Sequence, residues 1–309
     1  MAHNLPVVVI VLSTFNGERF LWEQLNSLYC QTYGNIEIIV RDDGSKDGTC
    51  EILKRFSRER NNMNVLFERN IGVVSSFLRL LDLVPPSAQY VALCDQDDVW
   101  REDKIEIAIS FFRTVEPTTP AMYCGALEVV DENLNRIGAI KKAIREPSLE
   151  NALVQNVATG CTTVINKSAL RLVTGKKVAI NKIQMHDWWL YQIISAFGLI
   201  LFDDIPKIRY RQHSRNVIGS SSGIELWVKR IKRHLWDHDR SIRCQAKELL
   251  RVYGPDMSEP NYKLVSEFLE RTQVDSFGKR ISYAIRTPVY RQSFLDNIVL
   301  RALIILGRI

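Results

Sequence analysis

Apolar and polar positions along the first hundred residues switch repeatedly between two periods. "VVVIVL" (7–12) is an unbroken, largely β-branched run, the pattern of a parallel strand buried on both faces. After the polar stretch "STFNG", apolar residues recur at Phe20, Leu21, Leu25 and Leu28, a helical spacing. The same alternation predicts strands at 36–40, 65–68 and 90–94 and helices at "CEILKRFSRE" and "NIGVVSSFLRLLDLV". Repeated strand–helix–strand units predict a mostly parallel α/β sheet flanked by helices. Ligands on such a sheet bind outside the carboxyl ends of the strands. The loops 13–18, 41–48 and 94–98 fall there.

Beyond the helix predicted at "EDKIEIAISFFR" the pattern is mixed. "AMYCGALEVVD" reads as a strand, "VATGCTTVINKSAL" as a strand and a turn into a helix, "HDWWLYQIISAFG" as a helix, and "IPKIRYRQH" as a last strand. From about residue 222 two or more basic helices take over, across 222–254 and then 260–285, before the apolar end "NIVLRALIILGRI". The expected organisation is a body over 1–220 and a basic, amphipathic helical extension over 221–309.

Charge sharpens that division. The formal net charge is +6, yet through Ile205 there are 21 Lys and Arg against 25 Asp and Glu, and from Pro206 onward 20 against 10. A basic tail on an acidic body points to an anionic partner, either a membrane surface or a phosphorylated substrate. "WVKRIKRHLW" places Trp227, Ile231 and Leu235 on one side and Lys229, Arg230, Lys232 and Arg233 around the other, as an interfacial helix does. Nucleic-acid binding would need aromatic platforms along a basic groove, which the acidic body does not offer. Six scattered cysteines without a CxxC pair read as free thiols of a reducing compartment. No stretch reaches the roughly 18–20 apolar residues that span a bilayer, and the N-terminal run has no basic segment before it. Together these predict a cytoplasmic protein.

The chemistry concentrates at "ALCDQDDVW" (92–100), where a buried-strand pattern ends in three carboxylates within four positions. Neither GxGxxG nor GxxxxGK[ST] occurs, so the usual phosphate-cradling loops are missing. A divalent cation held by carboxylates, Mg²⁺ or Mn²⁺, is the alternative way to handle a phosphate. One aspartate would suffice to cap the following helix.

The run resembles the DxD signature of nucleotide-sugar-dependent glycosyltransferases with the GT-A fold. The longer "CDQDDVW" is similar to family-2 enzymes, in particular the rhamnosyltransferase-like group that builds bacterial surface polysaccharides. "VVIVLSTFNGERFLWEQLNSLYCQTYGNIEIIVRDDGSKDGT" (8–49) is similar to that family's nucleotide-binding N-terminus, and the resemblance covers about residues 5–220. It implies an inverting, metal-dependent hexosyltransferase. The leading donor is dTDP-L-rhamnose, with a UDP-hexose as the alternative. The implied acceptor is a lipid-linked or growing O-antigen, lipopolysaccharide or capsule glycan at the cytoplasmic face of the inner membrane.

Residue by residue, the resemblance puts Ser13, Thr14 and Glu18 in the nucleotide pocket and Asp43 on the base edge. Asp97 becomes the first-choice metal ligand. Asp95 contacts the ribose or the metal through water, and Asp98 supports it. "HDWWL" carries the general base, Asp187, with His186 where many relatives have Glu. "YRQHSRN" offers His213 as a metal ligand and Arg211 as a diphosphate partner, since guanidinium pairs bidentately with phosphate. Gly160, in "ATGCTTVINKSAL", centres a loop that lets substrate approach the backbone. Two other readings compete. A nucleotidyltransferase would need a basic, Gly-rich loop that "STFNGERF" does not match, and a non-catalytic sugar-nucleotide-binding protein would have no use for Asp187.

Overall fold

The buried runs form the inner strands of one sheet. The structure is a computed structural model that describes residues 5–140, 142–213, 242–274 and 276–309. In chain order its first elements are β1 (Val8–Thr14), α1 (Glu18–Tyr29), β2 (Ile36–Asp42), α2 (Thr49–Glu59), β3 (Met63–Phe67), α3 (Val73–Asp82) and β4 (Tyr90–Cys94). Then come β5 (Val99–Trp100), α4 (Lys104–Phe111), β6 (Ala121–Gly125), β7 (Glu128–Val130), α5 (Leu149–Ala152), β8 (Val164–Asn166) and α6 (Lys167–Val173). After α7 (His186–Phe197), β9 (Leu199–Asp203) and β10 (Ile208–Arg211) follow α8 (Ile242–Tyr253), α9 (Glu259–Thr272), α10 (Phe277–Arg286) and α11 (Phe294–Leu306).

Two compact units result. The first comprises residues 1–142, 158–175 and 198–216, and the second 143–157, 176–197 and 217–309. The first unit holds a seven-stranded sheet of order β3-β2-β1-β4-β8-β6-β9. Only β8 runs against its neighbours, pairing antiparallel with β4 and β6. Val8, Ile10 and Leu12 of β1 are fully buried, among Leu21 and Leu25 of α1, Val40 of β2 and Leu53 of α2. The apolar stripes of α1 and α2 thus share one core with the inner strands. The second unit is helical. Trp189 of α7 meets Tyr253 of α8 with ring centroids 6.0 Å apart, and Leu300, Leu303 and Ile304 bury one face of α11.

The structure corrects three expectations. "AMYCGALEVVD" is not one strand. It divides after Gly125, where the Ala126 N–H turns to the Asp203 carbonyl, so β6 stays in the large sheet and β7 joins a small one. Strand β9, "LILFD", was not anticipated; it pairs parallel with β6 from Ala121↔Leu199 to Gly125↔Asp203. The helix expected over 260–285 breaks between Thr272 and Phe277 into α9 and α10. The interfacial helix expected at 227–236 lies outside the described residues. Among the described residues no helix is long and apolar enough to cross a membrane, and all six cysteines are free thiols.

Candidate active site

Register brings the polar loops of the first unit to one edge. Leu12 pairs with Cys94 on one side of β1, while Ser13 and Thr14 pair with Arg41 and Asp42 on the other. The strands therefore end level, and the loops after β1, β2 and β4 share the carboxyl edge of the sheet.

Asp43 is buried at the end of β2. Its Oδ1 accepts from the Arg41 guanidinium (2.5 Å) and the Ile71 N–H (2.7 Å), and its Oδ2 from the Gly72 N–H (2.9 Å). Arg41 is itself fully buried and also donates to Glu68 at 2.8 Å and to Ser76 Oγ at 3.1 Å. Desolvation is the largest single influence and lowers its pKa, but the hydrogen bonds and charges of Asp43 and Glu68 together outweigh it and raise the guanidinium above its ordinary value. Ser13 Oγ meets Ser76 Oγ at 2.6 Å, and Thr14 Oγ1 donates to Asp42 at 2.9 Å. Glu18 accepts from the Gly48 N–H at 2.6 Å, fastening the start of α1 to the loop after β2. Gly44 makes the turn after Asp43 with φ +80°, and a Cβ there would meet the Asn70 backbone at 3.1 Å, so glycine is required. The doubled aspartate thus divides its work: Asp42 holds Thr14 and the Ser45 hydroxyl and amide, and Asp43 ties β2 to the 70–72 turn.

The acidic loop is pinned from both ends. Gln96 accepts from the Phe15 N–H (2.8 Å) and donates to the Phe15 carbonyl (3.1 Å), a two-point clasp onto the loop after β1. A Cβ on Gly17 would lie 2.3 Å from Gln96 Oε1, so glycine leaves room for the clasp. Gln96→Ala is expected to lower the unfolding free energy by about 1 kcal/mol, the worth of a partly exposed hydrogen-bonded pair. Gly17→Ala should cost a similar amount by evicting the same side chain. The double variant should then cost no more than the larger single one, measured by urea denaturation; additive losses would dissociate the two contacts.

A second sheet of order β5-β10-β7 supplies the other anchor. β10 pairs antiparallel with β5, Ile208 opposite Trp100 and Arg209 opposite Val99, just beyond the acidic loop. This pairing delivers Arg211 and His213 to aspartates more than a hundred residues earlier. His213 Nε2 lies 2.8 Å from Asp97 Oδ2. The Arg211 N–H donates to Asp98 Oδ1 at 3.0 Å, and its guanidinium donates to the Asp97 carbonyl (2.9 Å), the Glu132 carbonyl and Glu23, over the Phe20 ring at 4.4 Å. In this structure Arg211 is the brace of the acidic loop.

Asp98 is fully buried, and its Oδ2 has no hydrogen-bond partner. Burial, then the charges of Asp97 and Asp95, push its carboxyl well above the ordinary carboxylate range; the Arg211 amide and Cys161 pull the other way. One oxygen of Asp95, one of Asp98 and Sγ of Cys161 lie within 4.8 Å of one another. Cys161 sits in the buried 3-10 turn Gly160–Thr162, so Gly160 brings this thiol to the carboxylates. Burial and both aspartates raise the Cys161 thiol well above its usual range. Carboxylate oxygens, one of them buried without a partner, match the oxygen preference of a hard divalent cation.

Sequence reasoning missed two members of this cluster. In the sequence Cys161 is only one of six scattered thiols. Lys104, on the first turn of α4, is not singled out by any motif, yet it is fully buried, with Nζ 3.2 Å from the centre of the Trp100 ring. Desolvation lowers its ammonium to about 7, opposed by Cys94, Cys161 and Asp98. It is a basic group behind the carboxylates whose charged form burial disfavours. No spacing rule distinguishes it from an exposed helical lysine.

Asp187 lies in the second unit, buried on the first turn of α7, where its Oδ1 accepts from the Trp188 N–H at 2.7 Å. The preceding His186 is also buried, and desolvation lowers its pKa while Asp187 opposes the shift.

The model named "Glycosyl transferase family 2" matches residues 9–172. A dTDP-rhamnosyl transferase from Shigella flexneri, RfbG, is 29% identical over 232 residues, 71% of this chain and 78% of its own length. TuaG of Bacillus subtilis, a putative teichuronic acid biosynthesis glycosyltransferase, is 26% identical over 164 residues, 52% of this chain and 62% of its own. The structure of Staphylococcus aureus TarS 1–349 in complex with UDP-GlcNAc superposes with a TM-score of 0.62 at 16% identity. That likeness covers 98% of this chain and 87% of TarS 1–349. It shows that the α/β body with its C-terminal helices has the GT-A-like fold.

Proposed function

The chain belongs to glycosyl transferase family 2, and we propose that it acts in cell-surface polysaccharide synthesis as an inverting, metal-dependent enzyme transferring L-rhamnose from dTDP-L-rhamnose to a lipid-linked glycan in the cytoplasm. The observation that carries this reading is the acidic loop itself: Asp97 against His213 and Asp98 buried with an orphaned oxygen, at the sheet edge where nucleotides bind. The dTDP-rhamnosyl relative supports the choice of donor, and the teichuronic acid relative the surface-glycan acceptor. In this reading the catalytic domain is residues 1–220, with 221–309 as its extension.

Asp95, Asp97, Asp98 and His213 would hold Mg²⁺ or Mn²⁺. A bound divalent cation supplies charge neutralisation for the departing diphosphate. Ser13, Thr14 and Glu18 line the nucleotide pocket, and Asp43, held rigid by Arg41 and two backbone amides, reads the imide edge of the base. Arg211 keeps the acidic loop in place and would pair with the diphosphate. The turn at Gly160 allows close approach of the sugar. Asp187 takes the proton from the acceptor hydroxyl, which attacks the anomeric carbon from the face opposite the diphosphate. Inversion needs one such carboxylate, unlike the paired carboxylates of glycoside hydrolases.

A thermal-shift screen of nucleotide sugars with Mn²⁺ and with EDTA tests this. A ligand at a hundredfold excess over its Kd stabilises the native state by about 2.7 kcal/mol. dTDP-L-rhamnose is therefore expected to raise Tm by several degrees, and EDTA should abolish the shift. A larger shift with a UDP-hexose would reassign the donor. Binding without turnover on any acceptor would favour a non-catalytic sugar-nucleotide protein. No shift with any nucleotide sugar would overturn the reading.

A further inference from the structure

The C-terminal helix α11 starts and stops by strong local signals. Ser293 Oγ accepts from the Asp296 N–H at 3.0 Å, and Gly307 closes the helix in the left-handed conformation with φ +65°. Between these caps the helix is apolar nearly all round, "FLDNIVLRALIIL". One face is spent on the second unit's core, through Leu300, Leu303 and Ile304. The opposite face, Phe294, Leu295, Ile298, Ala302 and Leu306 at helical spacing, is exposed, Phe294 to 79% and Leu295 to 70%. The neighbouring α10, packed on α11, adds Phe277 and Ile285, the latter 65% exposed. A helix apolar on all sides ordinarily has both faces covered.

The charges around this surface indicate what covers it. From Phe277 to Ile309 the chain holds six Lys and Arg residues against Asp296 as the one acid. Lys279, Arg286, Arg301 and Arg308 are exposed together with the apolar residues. Apolar side chains flanked by cations match the two layers of a bilayer surface, acyl chains below and anionic headgroups above. We propose that the α10–α11 hairpin is a membrane-docking surface that inserts Phe294, Leu295 and Ile298 into an anionic leaflet. This inference is independent of the donor reading, because vesicle binding needs no sugar nucleotide.

Flotation of the full chain with extruded vesicles decides the question. Binding is expected to phosphatidylcholine vesicles containing about one third phosphatidylglycerol, and it should weaken as salt rises. Phe294→Ser with Leu295→Ser should reduce that binding at least about tenfold, since two large side chains no longer leave water. Both side chains are exposed, so Tm should be retained. Lys279→Gln with Arg286→Gln should reduce binding to the anionic vesicles and flatten the salt dependence. Salt-insensitive binding, or equal binding by the Phe294/Leu295 variant, would overturn the proposal. So would a concentration-dependent dimer that the same two substitutions dissolve, which would make a second copy of the chain the occupant.

Discussion

Asp187→Asn is expected to lower kcat by about 10²–10⁴-fold, the range a positioned general base contributes, while donor affinity stays within about twofold. The substitution separates two roles that one side chain fills. Asparagine keeps an oxygen where Asp187 Oδ1 accepts the Trp188 N–H at 2.7 Å, so the first turn of α7 keeps its bond and its shape. What it loses is the ability to take a proton. Steady-state kinetics with a saturating acceptor, alongside a melting curve, measure the split. If turnover stays near normal, Asp187 is a helix-start residue only, and the base must be sought elsewhere.

Arg41→Met should cost about 3–5 kcal/mol of stability, because it strips a buried carboxylate of its cation. Asp43 is 2% exposed and would retain only the Ile71 and Gly72 amides, which places the expected loss at the lower end of that range. Glu68 is one-third exposed, so water takes over much of its lost pairing. Adding Asp43→Asn removes the stranded charge and should recover a large part of the loss, read from urea midpoints. The double variant also tests function. If Asp43 reads the base, stability returns without nucleotide binding. A single variant as stable as the parent would mean that the guanidinium is not holding the β2 edge.

Some elements were legible because their cause is local. β4 is Tyr90–Cys94, the stretch the apolar run marks, and α7 begins at His186, where the pattern turns helical. The acidic loop was legible for the same reason: three carboxylates following a buried strand conflict with burial wherever the chain runs next. Strand β9 was not read because "LILFD" directly follows the apolar helix α7, and an apolar stretch of that length does not itself distinguish strand from helix. The split of 121–131 depends on the Asp203 carbonyl, which arrives from 77 residues away to take the Ala126 N–H.

Composition and pattern by themselves determined the first four strands, their carboxyl edge and the place of the carboxylates, since hydrophobic period and turn residues act within a few positions. Tertiary structure alone decided how those carboxylates are surrounded. The pairing of β5 with β10 sets His213 on Asp97 and Arg211 on Asp98, a 3-10 turn brings Cys161 beside Asp95, and Lys104 lies on the Trp100 ring. Burial and electrostatics depend on which distant segments meet, and no residue carries that information in its neighbours along the chain.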